Sequence, residues 1–224
     1  MVVAAHPDDE VLGCGGTIPQ LVAAGRAVHV AILGEGVTSR YAEREGADVA
    51  LLDDLRADSR RAGETMGAAE VHLFGLPDNR FDTVAALDVV KVVEGLIEEL
   101  EPELVFTQHG GDLNVDHGVV FRAVLAATRP MAGHPVKRVY GYEVASSTEW
   151  AFGQFEPVFR PNTFVDVSQT LETKVAAMEC YRSERRAFPH PRSPDALRAA
   201  ARRWGTTVGL EAAEAFQLVR SIGL

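Results

Sequence analysis

Four times between Met1 and Thr128, a short apolar run gives way to a longer stretch with apolar residues at helical spacing. That alternation leaves few folds open. Residues 1–5, 27–33, 70–74 and 104–107 read as buried strands. Residues 11–24, 41–66, 84–100 and 116–128 read as helices, and Gly25, Gly67 and Pro102 close the first three. Strands that each lead into a helix pair in parallel, with right-handed crossovers and helices on both faces. Further strands are expected at 136–145 and 163–167, and helices near 171–181, 194–204 and 211–219. The expectation is α/β: a single Rossmann-like domain over residues 1–224, with a mainly parallel sheet and a C-terminal third that caps the active site. The Pro-rich FPHPRSP stretch is too short to divide it.

Such sheets bind ligands beyond the carboxyl ends of the strands, where the strand order reverses. With the order 3-2-1-4-5, the first and fourth strands are neighbours. The loops leaving them, HPDDE at His6 and QHGGDLNVDH at Gln108, then share one crevice. His6 and Asp9 lie three apart across a strand-to-helix turn, and His117 opens the helix after the second loop. Two imidazoles and one carboxylate form a common catalytic zinc shell with open positions. The same set suits iron(II) or another divalent ion. Asp8 is left over, placed to move a proton during attack on a carbonyl.

Plainer readings stand beside these. Acids at a helix start are ordinary caps. Gly13, Gly15 and Gly16 do not make G-x-G-x-x-G, and close packing of helix on sheet accounts for them better than a phosphate cradle. A nicotinamide oxidoreductase therefore ranks last. With 22 basic and 32 acidic residues, the net charge of −10 argues against nucleic acid or a polybasic membrane contact. No run of 18 apolar residues predicts a transmembrane helix, and no leader pattern is visible. Cys14 and Cys180 give no disulfide framework, so a cytoplasmic setting is expected. His29 and His72 read as strand imidazoles with ordinary partners rather than as ligands.

HPDDE together with the later DLNVDH (residues 112–117) resembles the LmbE-like (PIG-L) deacetylases, as do GLPDNRFD, YEVASSTEW, FPHPRS and VGLEAAEAF. That family consists of zinc-dependent hydrolases that remove an acyl group, usually acetyl, from an amino-sugar nitrogen. The resemblance implies that His6, Asp9 and His117 hold zinc, that Asp8 is the general base and that Asp116 orients an imidazole. It places Arg56 and Asp82 at sugar-contacting positions, with Arg40 a weaker candidate. Trp150 offers an aromatic face to a sugar ring or to packing, and Glu143 is a further candidate to reach the site. Arg182, Arg185 and Arg186 read as a solvated helix face or as contacts for an anionic substrate.

The chain departs from the pattern at Asn114, where several relatives carry a His. That leaves three sources for the proton given to the leaving amine: Asp8 itself, His109, or another group such as His190. The expected substrate is a small amino-sugar compound such as an N-acetylglucosamine conjugate, and a homo-oligomer is compatible with the sequence. The rival reading is a non-catalytic sugar or nucleotide-sugar binding module.

Overall fold

The computed structural model describes residues 1–223, apart from the side chain of Glu45. Its strands are β1 (Val2–Ala4), β2 (His29–Gly34), β3 (Glu70–Leu76), β4 (Leu104–Gln108), β5 (Arg138–Tyr142), β6 (Thr163–Asp166) and β7 (Ala213–Ser221). Its helices are α1 (Asp9–Cys14), α2 (Thr17–Ala23), α3 (Val49–Met66), α4 (Ala86–Leu100), α5 (Val115–Ala127), α6 (Leu171–Cys180) and α7 (Pro194–Thr207). The strands form one sheet in the order β3-β2-β1-β4-β5-β7-β6. The first five strands are parallel, and β7 runs antiparallel to both β5 and β6. This is the Rossmann-like α/β architecture expected.

Strand alternation sorts the core into two layers. Val2, Ala4, Val30 and Ile32 face α1, α2, α3 and α6 through Val11, Ile18, Met66 and Met178. Val3, Ala5, Ala31 and Leu33 face α4 and α5 through Val89, Val93, Val120 and Val124. Covered on both faces, β1 is apolar throughout, as a central parallel strand must be.

Three elements differ from expectation. The helix expected over 11–24 breaks at Gly15 and Gly16. There the Glu214 carboxylate accepts hydrogen bonds from the N–H groups of Gly16 (3.0 Å) and Thr17 (2.7 Å). The helix expected from 41 starts at Val49, where the Asp48 side chain accepts from the Ala50 N–H; Arg44–Gly46 forms a short 3-10 turn instead. The helix expected near 211–219 is β7. Its Ala213, Ala215 and Phe216 are buried, and its backbone pairs with a strand on each side. Local helix preference for Ala and Glu gives way to that two-sided ladder. Among the described residues, no helix is long and apolar enough to cross a membrane.

The glycines after HPDDE allow close packing. A Cβ on Gly13 would lie 2.1 Å from Tyr142 Cδ2. Tyr142 is fully buried, and its hydroxyl donates to the Val3 carbonyl at 2.8 Å, so the ring has nowhere to go. Gly13→Ala is expected to cost about 3 kcal/mol, the upper end of ordinary overpacking. A urea unfolding midpoint equal to that of the unsubstituted chain would contradict it.

Candidate metal centre

β1 and β4 are neighbours, so the loops leaving their carboxyl ends meet in a pocket of about 540 Å³. His6, Asp8 and Asp9 line it from the first loop; Asn114 and His117 line it from the second. Asp9 Oδ2 lies 3.5 Å from His6 Nδ1 and 3.3 Å from His117 Nε2. Donor atoms of the three residues all lie within 4.8 Å of one another.

Each imidazole is held from behind. His6 Nε2 hydrogen-bonds Asp116 Oδ2 at 2.8 Å, and His117 Nδ1 hydrogen-bonds Asp112 Oδ2 at 3.0 Å. Asp112 is fixed in turn by the hydroxyls of Ser147 and Thr148. Asp116 also accepts from the Phe81 N–H at 2.9 Å. Asp9 Oδ2 accepts from the His6 N–H and from Gln108 Nε2. The remaining nitrogen of His117, Nε2, is buried and forms no well-directed hydrogen bond, with Asp9 Oδ2 facing it at 3.3 Å. A buried imidazole nitrogen left unpaired is costly unless something ligates it. Carboxylates behind two imidazoles, with the free nitrogens turned to a shared carboxylate, fit a divalent ion.

Electrostatics agree. Burial opposes protonation of His6, but hydrogen bonds to Asp116 and Asp9 and the charges of Asp9 and Asp78 outweigh it and push its pKa up to about 10. Burial likewise opposes protonation of His117, yet Asp9 and Asp112 raise it to about 9. Burial works against ionised Asp9, and the two histidines hold its carboxyl well below the usual range all the same. Without a metal, then, protons supply the positive charge. Their contribution to stability is complete below the ordinary histidine value and fades as pH rises through about 9 to 10. A dication must expel them, so its affinity is expected to climb with pH from neutrality to about 10, with up to two protons released per ion. Calorimetry in buffers of different ionisation enthalpy reads this directly. An affinity that stays flat over that range would show that the imidazoles are not the ligands.

Asp8 stands apart from the three. It caps α1 with a left-handed backbone (φ 100°), which carries its side chain away from that of Asp9. Its Oδ2 accepts from Arg192 Nη1 at 2.6 Å. Burial raises its pKa, Arg192 opposes, and Asp9 and Glu184 add to the rise, leaving it at about 7. Arg192 also donates from Nε to Ser146 Oγ at 2.9 Å. It reaches the pocket from FPHPRS, 184 residues after Asp8.

Other sequence candidates fall on both sides of the pocket wall. Arg40 lines it and pairs with Glu184; Trp150, 42% exposed, lines it too. Asn114 caps α5 by accepting from the Asp116 N–H and donates one amide hydrogen to Asn79 Oδ1 at 2.8 Å. Arg56 lies outside the lining, on an exposed stretch of α3 where it pairs with Asp53, and Asp82 is exposed in the turn before α4. His109 is turned away, its Nε2 2.5 Å from the Pro157 carbonyl oxygen and its ring edge-on to Phe159. Glu143 accepts from Trp204 Nε1 in a neighbouring cleft. Arg182 pairs with Asp54 and Asp58, Arg185 with Glu179 and Arg186 with Glu184.

Sequence reasoning did not single out Asp112, Asp78, Gln108, Glu184 or Arg192. Asp112 opens DLNVDH and Arg192 sits in FPHPRS, so the motifs contain both without assigning either a role.

The model of the PIG-L family, described as GlcNAc-PI de-N-acetylase, matches residues 1–128. The chain belongs to the PIG-L family. This PIG-L protein is 26% identical over 196 residues to the probable N-acetyl-α-D-glucosaminyl L-malate deacetylase 2 of Bacillus cereus, covering 84% of each chain. It is 27% identical over 193 residues to the 4-oxalmesaconate hydratase of Pseudomonas putida, covering 80% of this chain and 71% of that one. Among solved structures, a conserved protein from Thermus thermophilus superposes with a TM-score of 0.76 at 25% identity, covering 100% of this chain and 95% of that one. The fold is thus that of the metal-binding, deacetylase-like PIG-L hydrolases, and the His/Asp cluster lies where the HPDDE and DLNVDH loops converge.

Proposed function

We propose that this PIG-L protein is a zinc-dependent amidase that removes an acetyl or similar acyl group from the nitrogen of an amino sugar or its conjugate. One observation carries the reading: the unpaired, buried Nε2 of His117 faces Asp9 beside His6, with a separate carboxylate, Asp8, in the same pocket. In this reading His6, Asp9 and His117 hold the ion. A divalent ion bound there polarises a carbonyl and acidifies water.

The chain's own groups do the rest. Asp8 accepts a proton from the attacking water and returns it to the departing amine. His109 is engaged with Pro157 and faces away, which supports Asp8 as carrier in both directions. Asn114 retains one amide hydrogen for the oxygen that gains charge, since its other donates to Asn79. Arg192 holds the Asp8 carboxylate in place, and Trp150 presents its ring to the sugar. Arg40 lines the same pocket. Unpaired Cys14 and Cys180 accord with a cytoplasmic setting.

Release of acetate and free amine from a panel of N-acetylglucosamine conjugates, with the zinc-loaded protein, tests the proposal. Zinc bound without amine release from any member would instead favour a binding module. The hydratase relative supplies a control arm: addition of water to an unsaturated carboxylic acid, with no amide cleaved, would replace the amidase reading.

A further inference from the structure

Three side chains of metal-ligand type lie at the other end of the strands, away from the pocket. His29 begins β2, while Glu70 and His72 are on the edge strand β3. Parallel register sets His29 opposite Glu70 and Ala31 opposite His72. His29 Nδ1 and His72 Nε2 are 3.2 Å apart, and Glu70 Oε2 is 3.8 Å from His72 Nε2. One donor atom from each of the three lies within 4.8 Å of the others.

We propose that His29, His72 and Glu70 form a second divalent-cation site that ties the edge strand β3 to β2. Two nitrogens bound at about 2.0–2.1 Å around a tetrahedral zinc ion stand about 3.3 Å apart. The imidazole pair already has that separation. Neighbouring strands fix both rings, and the His72 side chain is only 13% exposed. The Glu70 side chain is 61% exposed, so it can rotate its carboxylate from 3.8 Å off His72 Nε2 into a ligating position. Water fills the remaining place, since His29 borders an open surface cleft of about 390 Å³.

Charge favours a cation there. Glu70 and Glu99 of α4 face His29 with negative charge. Without metal, one shared N–H satisfies both rings; the cation takes that proton's place. Two imidazoles with a carboxylate suit zinc, nickel or copper(II) rather than magnesium or calcium.

The test is zinc stoichiometry in the chelator-stripped protein. Two ions per chain are expected, and His72→Gln is expected to bind one while leaving occupancy of the His6–Asp9–His117 cluster unchanged. Glu70→Gln alters only an exposed side chain and is expected to weaken the second ion by about tenfold or more, at least what loss of an outer-shell partner costs. One ion in the unsubstituted chain overturns the proposal. So does a second ion whose affinity is untouched by Glu70→Gln, whether or not His72→Gln folds.

Discussion

Asp8→Asn is expected to leave zinc bound and reduce kcat by about 10²–10⁴, the contribution of a placed proton carrier. The substitution is close to isosteric, and Asn tolerates the left-handed backbone at this position. The three proposed ligands are untouched, since Asp8 projects to Arg192 rather than to the imidazoles. The carboxamide still accepts from Arg192 through its oxygen, so the wall between Ser146 and Glu184 keeps its shape. What disappears is a carboxylate whose pKa, near 7, matches a group that takes and returns protons at neutral pH. Elemental analysis alongside steady-state kinetics separates the two effects. A variant with unchanged kcat would remove Asp8 from the chemistry; one without zinc would make it a ligand.

His117→Ala should lose the ion and turnover together. His6 and Asp9 would remain, and two donors fall short of the three that a catalytic zinc site keeps. Asp112 keeps its bonds from Ser147 and Thr148, so the loop survives even though the imidazole is gone. Asp112→Asn is the graded comparison, with a loss of roughly 10–100-fold in affinity because the ligand stays and only its support is weakened. His117→Ala must fall further. Equal losses in the two variants would mean that His117 supports the site from outside rather than binding the ion.

The convergence behind both predictions was legible before any coordinates. With HPDDE and DLNVDH after the first and fourth strands, the expected strand order makes them neighbours, and β1 does pair with β4. The long-range closures were not legible. Arg192 reaches Asp8 from FPHPRS through tertiary packing that leaves no local periodicity. β7 carries Ala, Glu and Leu in numbers that suit a helix, and only two flanking strands make it extended. Arg56 shows the limit of motif position alone: its place on α3 matched a family pattern, but the helix turns that side chain toward Asp53 and solvent.

Glu214 gives the ends of the chain a shared fate. From β7 its carboxylate grips Gly16 and Thr17, just after the HPDDE loop, while Lys174 bridges it to the Leu12 carbonyl. The matched family segment, residues 1–128, carries every candidate ligand but neither Lys174 nor Glu214. Trimming the protein to that stretch would keep the whole donor set yet dissolve the clasp that aims it, so the smallest working unit extends into the final strand.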